Sequence, residues 1–123
     1  MLLTVKNPVV NIYKKNNNKS EIVTQILYGE EFLAKKKIGI FYKGYRIYDK
    51  YKGFIKIKDL ELDRNKKTHK IISSKCFLYK RPNLRTKLNK KIYFNSKISI
   101  LNQKNNFVQI TLGWILKKNI KPI

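Results

Sequence analysis

Apolar residues fall in short runs along the chain, not in helical stripes. Val9-Val10-Asn11-Ile12-Tyr13, Phe32-Leu33-Ala34, Ile38 to Tyr42, Tyr45 to Tyr48 and Phe54-Ile55-Lys56-Ile57 make up the first half. Cys76 to Tyr79, Lys97 to Leu101, Phe107 to Thr111 and Trp114 to Leu116 make up the second. Runs of this length, rich in β-branched and aromatic residues and broken by Gly, Asn and Lys, predict strands. Lys97 to Leu101 alternates polar and apolar, as a half-buried strand does. No segment carries a long 3.6-residue periodicity, so an all-β fold is expected. Ser20 to Leu27 reads as one helical turn or an irregular loop.

The runs repeat. Asn11 to Ala34 aligns with Phe77 to Ile100 without a gap at a constant offset of 66. Ile12-Tyr13 falls on Leu78-Tyr79, Ser20 on Thr86, Ile22 on Leu88, Ile26 on Ile92, Tyr28 on Phe94 and Phe32 on Ile98. Gly29 falls on Asn95, and these two residue types best tolerate a left-handed turn conformation. Phe41 still matches Phe107, but Gly53-Phe54-Ile55 matches Gly113-Trp114-Ile115 at an offset of 60, and Leu60 matches Ile120. The first unit therefore carries about six extra residues around Gly44 to Tyr51. The expected organisation is a first barrel over residues 1–63, a linker over 64–70 and a second barrel over 71–123. Several short strands in each unit, ending in a Gly-aromatic strand, suggest two small SH3-like β-barrels in tandem.

Composition adds a question about charge. The formal net charge is +22, from 29 Lys and Arg against 7 Asp and Glu. Only Arg46, Arg64, Arg81 and Arg85 are arginines, so lysine dominates. Arg is the residue of bidentate phosphate and base readout, whereas Lys is a solvated point charge. A Lys-, Asn- and Ile-rich chain is also what an A/T-biased genome encodes. The functional alternative is attraction to an anionic partner: nucleic acid, a membrane or a cell-wall polymer. Hydrophobic residues make up 42% of the chain, enough for a core.

Catalytic chemistry finds little material. Cys76 is the single cysteine, which excludes an intrachain disulfide, and the single His69 leaves no His/Cys cluster for zinc. No metal or cofactor is expected. By the repeat, Cys76 matches Val10, an inner strand position, and reads as a small buried hydrophobe. His69 lies between Lys67 and Lys70 and reads as a solvated linker residue. A nucleophile needs a base within hydrogen-bond reach and a third group to orient it, and nothing suggests that set. No run approaches a membrane span. The N-terminus lacks a charged n-region followed by a long apolar stretch, so a cytoplasmic protein is the default, with the cell envelope as the alternative.

Two segments carry a family resemblance. "NPVVNIYKKNNNKSEIVTQILYGEEF" and "DKYKGFIKIKDL" resemble the bacterial SH3 (SH3b) domain at the N-terminus of NlpC-type cysteine peptidases of the γ-D-glutamyl-L-diamino acid endopeptidase, or dipeptidyl-peptidase VI, type. The Ser-Glu-x-x-Thr-Gln-x-Leu-x-Gly-Glu loop is the more specific element. "LYKRPN" and "LGWILKKNIKPI" resemble the second SH3b domain of the same proteins. The departures are Asp49-Lys50-Tyr51 for Asp-Gly-Tyr and Gly53-Phe54 for Gly-Trp. The resemblance implies a peptidase domain after Ile123, which the chain is expected to lack.

The resemblance implies a non-catalytic region that restricts substrate or targets the cell wall for a peptidase held in cis or in trans. It also implies that the first domain helps select muropeptides with a free N-terminus. A carboxylate and a phenol suit an ammonium group. Glu21, Asp49 and Tyr51 are the candidates, with Tyr45 and Tyr48 in the inserted segment. Their ordinary alternatives are a loop-capping carboxylate, a turn aspartate and half-buried barrel tyrosines. The competing reading is a basic β-barrel that binds nucleic acid, with aromatics stacking bases among lysines. Against it, the cations are spread over Lys35 to Lys37, Lys66-Lys67, Lys90-Lys91 and Lys117-Lys118, as on a solvated face. A third reading, targeting to an anionic surface, needs only the charge.

Overall fold

The structure is a computed structural model that describes residues 1–17 and 19–123. The chain forms two compact units, Met1–Arg64 and Asn65–Ile123. Both are built from antiparallel strands. Among the described residues, three single 3-10 turns interrupt them, at Ile57–Asp59, Leu84–Thr86 and Lys117–Asn119. The architecture is compatible with small SH3-like barrels.

Unit 1 contains β1 (Leu2–Val5), β2 (Val9–Tyr13), β3 (Ile22–Leu27), β4 (Glu31–Ile38), β5 (Phe41–Arg46), β6 (Lys52–Lys56) and β7 (Leu60–Glu61). They form one sheet in the order β3-β2-β6-β5-β4-β1-β7. Unit 2 contains β8 (His69–Ile71), β9 (Cys76–Tyr79), β10 (Lys87–Ile92), β11 (Lys97–Ile98), β12 (Asn102–Lys104), β13 (Phe107–Ile110), β14 (Gly113–Leu116) and β15 (Ile120–Pro122). These form two sheets, β10-β9-β14-β13-β12 and β11-β8-β15. The difference has one source. The continuous β4 of unit 1 corresponds to β11 and β12 of unit 2, which are separated at residues 99–101.

The core follows the repeat. Val10, Ile12, Ile26, Phe32 and Ile55 are buried in unit 1, and their partners Cys76, Leu78, Ile92, Ile98 and Ile115 are buried in unit 2. Tyr13 meets Phe41 edge to face at 5.8 Å, and Tyr79 meets Phe107 in the same way at 5.1 Å. Gly29 and Asn95 both adopt positive φ, at 81° and 71°. Each opens the same turn: Gly29 N donates to Val5 O, and Asn95 N donates to Ile71 O. Only residues that tolerate the left-handed region can close it.

Gly53 and Gly113 are equivalent for a second reason, close approach. A Cβ on Gly53 would lie 2.3 Å from Ile12 Cγ2 and 2.9 Å from Tyr13 O, and one on Gly113 would lie 2.8 Å from Tyr79 O. The backbone of the Gly-aromatic strand thus passes against the tyrosine strand in both units.

Three expectations fail. Ser20 to Leu27 is neither helical nor irregular throughout: Ile22–Leu27 is strand β3, paired along β2. Its polar residues Thr24 and Gln25 are what an edge strand with one wet face carries. His69 is not a solvated linker residue; it is half-buried on β8, opposite Ile98 and Pro122. Phe94 does not share the environment of Tyr28. It is 53% exposed where Tyr28 is 3% exposed.

Candidate functional site

The β4, β5 and β6 strands of unit 1 lie side by side, and the register sorts their side chains. Residues directly opposed in an antiparallel ladder share a face, as do residues two apart on one strand. On one face Tyr42 opposes Ile55 and Gly44 opposes Gly53. Ile55 belongs to the hydrophobic core and Tyr42 packs against it. On the other face Phe41 opposes Lys56, Lys43 opposes Phe54 and Tyr45 opposes Lys52. Every pair on this face joins one lysine to one aromatic ring, and the order alternates along the ladder. The middle pair extends into a row across four strands, Lys36, Lys43, Phe54 and Tyr13.

This face is concave. A groove of about 570 Å³ is lined by Lys14, Lys35, Lys36, Lys43 and Lys52, with Tyr45 and Phe54 among its apolar walls. Lys35 Nζ lies 5.3 Å from the centroid of Tyr45, and Lys56 Nζ lies 5.7 Å from that of Tyr13. The one carboxylate in an ion pair with these lysines, among the described residues, is Glu21, 3.9 Å from Lys14 with both side chains well exposed. Screening leaves such a pair little strength. The groove is therefore a site for negative charge with an apolar wall.

The sequence-predicted residues are distributed differently. Tyr45 lines the groove. Asp49 and Tyr51 belong instead to the tip of the β5–β6 hairpin. There Arg46 Nε and Nη2 donate to the two Asp49 carboxylate oxygens at 2.9 and 2.8 Å. Tyr51 N donates to Asp49 Oδ1 at 3.1 Å, and Arg46 Nη1 donates to Gln25 O at 2.8 Å. The Arg46 guanidinium also lies 5.9 Å from the Tyr51 ring centroid. This two-pronged bond holds Asp49 below the usual carboxylate range and Arg46 above its ordinary value. Both Asp49 oxygens and the Tyr51 ring face are thus committed to the hairpin and to Arg46. Tyr48 is 86% exposed, and Glu21 faces Lys14.

Cys76 is buried on β9, and burial pushes its thiol up to about 11. Among the described residues, no three His, Cys, Asp or Glu side chains group as metal ligands would. No described helix is long and apolar enough to cross a membrane.

No single lysine of the groove stands out in the sequence. Lys35 to Lys37 reads as one solvated run among several. The signal was nonetheless present in the repeat. Of the five groove lysines, Lys35, Lys36, Lys43 and Lys52 align with Leu101, Asn102, Gln109 and Leu112, and Lys14 aligns with Lys80.

Comparison with known proteins gives a fold. No protein-family model matches the chain, and no curated protein matches it. Among solved structures it is similar to an NlpC/P60 family protein from Bacillus cereus ATCC 10987. That similarity has a TM-score of 0.76 at 13% identity and covers 100% of this chain and 56% of that one. It also matches NlpC2 from Trichomonas vaginalis, with a TM-score of 0.43 at 16% identity over 98% of this chain and 47% of that one. The chain thus spans about half the length of these structures. The Bacillus likeness shows the fold, an all-β architecture shared with part of that protein.

Proposed function

We infer that the chain is the non-catalytic, cell-wall-binding SH3b region of a peptidase that acts on cell-wall peptides, with the peptidase domain supplied in cis or in trans. The observation that carries this reading is the alignment of the whole chain with part of the Bacillus cereus protein. The buried Cys76, with its thiol held neutral, supports a non-catalytic role, because a nucleophilic cysteine needs exposure and a lowered pKa. The lysine groove supports a targeting role over recognition of a free N-terminus. A ring of cations repels an ammonium group, and Asp49 is already paired with Arg46.

The test is co-sedimentation of the whole chain with purified peptidoglycan sacculi. The protein is expected in the pellet at physiological salt, with no release of wall peptides. Protein that stays in solution with sacculi, yet binds a single-stranded oligonucleotide with a steep salt dependence, would establish the nucleic-acid reading instead.

A further inference from the structure

The two units supply an internal control for the meaning of the charge. They share a fold and an almost equal stock of lysine, 12 in Met1–Arg64 and 13 in Asn65–Ile123. Codon bias acts on both alike. Yet the row Lys36, Lys43, Phe54, Tyr13 in unit 1 corresponds to Asn102, Gln109, Trp114, Tyr79 in unit 2, in the same register. The aromatic half of the row persists and the cationic half does not. Around it, Lys35, Lys52 and Lys56 correspond to Leu101, Leu112 and Leu116, and only Lys14 keeps a lysine, at Lys80. General lysine richness therefore does not account for this face.

Folding does not account for it either. Lys36 and Lys43 are directly opposed, and like charges in that position destabilise a sheet. No carboxylate forms an ion pair with Lys35, Lys36, Lys43 or Lys52 among the described residues. Cations gathered at a cost to the fold, in a groove with ring walls, are placed for an anion that comes from outside.

We propose that the β4–β5–β6 face of unit 1 is a binding groove for an anionic cell-wall polymer, engaged through repeated phosphate or carboxylate groups, and that unit 2 lacks this activity. The proposal rests on the cell-wall reading above and names the site and ligand class within it. Lysine ammoniums at Lys35, Lys36, Lys43 and Lys52 meet the charges of the polymer. Tyr45 and Phe54 meet the apolar faces of its backbone. Lysine suits this ligand better than arginine would, because a flexible polyanion needs charge neutralised more than a fixed fork satisfied. The length of a polymer, not a single headgroup, suits a row of cations spread over three strands.

The experiment compares three forms of the whole chain. One carries Lys36→Asn, Lys43→Gln and Lys52→Gln, which bring the face to the polar character of unit 2. One carries Lys66→Gln, Lys90→Gln and Lys117→Gln, three exposed lysines of unit 2, and so has the same net charge. One gains Asn102→Lys and Gln109→Lys in unit 2. Each is measured for binding to polyphosphate and to poly-glutamate, the two arms that separate phosphate from carboxylate. Binding to sacculi before and after chemical removal of their phosphate polymers, and to a single-stranded oligonucleotide, completes the comparison.

The groove variant is expected to lose about tenfold or more in affinity for the preferred polyanion and to show a shallower salt dependence. The charge-matched control should lose at most about twofold, and the unit 2 gain variant should bind more tightly than the parent. Equal losses in the groove variant and its control would overturn the site. Sacculus binding that is strong in the parent and unchanged in the groove variant would also overturn the site while leaving the cell-wall reading intact. Failure of the parent to bind sacculi would overturn that reading itself and the ligand class with it. An oligonucleotide bound more than about tenfold tighter than either polyanion at the same salt would replace the ligand class with nucleic acid.

Discussion

Unit 1 and unit 2 use the same frame and treat its exposed sheet in opposite ways. In both, a tyrosine on the second strand of the repeat opposes the aromatic of the Gly-aromatic strand, Tyr13 with Phe54 and Tyr79 with Trp114. Beyond that shared half, unit 1 places Lys43 and Lys36 where unit 2 places Gln109 and Asn102. Most core positions agree between the units, with Tyr28/Phe94 and Gly44/Ile110 as exceptions, while the lysine half of the outward row diverges. That division separates structural residues from candidates for function in a chain whose composition hides the distinction. The hairpin between β5 and β6 diverges as well. In unit 2 it turns through Thr111 and Leu112 directly after the Ile110–Gly113 pair, while in unit 1 it extends through Tyr45–Lys52.

The sharpest way to break the equivalence is at Gly44, which aligns with the fully buried Ile110 of unit 2. A Cβ on Gly44 would lie 1.9 Å from the carbonyl oxygen of Leu33 and 2.9 Å from Phe32 Cε2. Backbone oxygen cannot move aside as a side-chain tip can. Gly44→Ala is therefore expected to destabilise unit 1 by about 3 kcal/mol or more. Trp114, the single tryptophan, reports unit 2 alone, while circular dichroism reports both. The urea transition seen by dichroism should split, with the Trp114 midpoint unmoved. A joint shift of both signals would show that the units unfold as one block.

The next effect has the opposite sign. Lys43→Gln removes one of two directly opposed lysines and restores the unit 2 residue. Unit 1 should gain roughly 0.2–1 kcal/mol in low salt, read as a higher urea midpoint. The gain should shrink in high salt, where the repulsion is already screened. A loss of stability would mean that Lys43 serves the fold through its aliphatic stem, and the contrast between the units would lose its functional meaning.

Much of the frame was legible in the sequence, because it rests on residue types with few substitutes. Gly29 and Asn95 marked a left-handed turn, and both adopt it. The Gly53 and Gly113 pair marked the strand that presses against Tyr13 and Tyr79. Ile22–Leu27 is not legible as a strand because it lies at a sheet edge, where polar residues are tolerated and the period-two signal fades. The groove is not legible in the sequence because no single lysine in it is unusual. Its cations come from the loop after β2 and from three strands, and only the register brings Lys36, Lys43 and Lys52 together. Asp49 and Tyr51 set a carboxylate beside a phenol, but the partner that decides their role, Arg46, belongs to the same turn.

That turn makes a pH-dependent contrast. The Asp49 carboxylate is held below its usual range by Arg46, so its ionised form favours the folded hairpin. The contribution is present above the ordinary carboxylate pKa and is lost as pH falls through that value towards the lower folded one. Unit 2 has no acidic residue in its Thr111-Leu112 turn. Between pH 7 and pH 3 the urea midpoint of unit 1 should fall, and Asp49→Asn should flatten that fall without changing the Trp114 transition. An identical pH profile in the parent and in Asp49→Asn would remove the Arg46 pair as a stabilising element.

The smallest effect is expected where the units agree best. Val10 and Cys76 occupy equivalent strand positions, at 5% and 0% exposure, one with an isopropyl group and the other with a thiol. If Cys76 serves as a small hydrophobe, Cys76→Val replaces it with what unit 1 already uses, and the cost should stay well under about 1.5 kcal/mol. The same burial raises the thiol to about 11, so at pH 8 the native protein presents very little thiolate. At fixed pH, reaction with an aromatic disulfide reagent should then track unfolding of unit 2. Rapid labelling of the native chain, or a Cys76→Val variant that folds but loses sacculus binding, would show that the thiol has a role beyond packing. Slow labelling together with a neutral substitution would leave the outward face as the place where the two units differ in function.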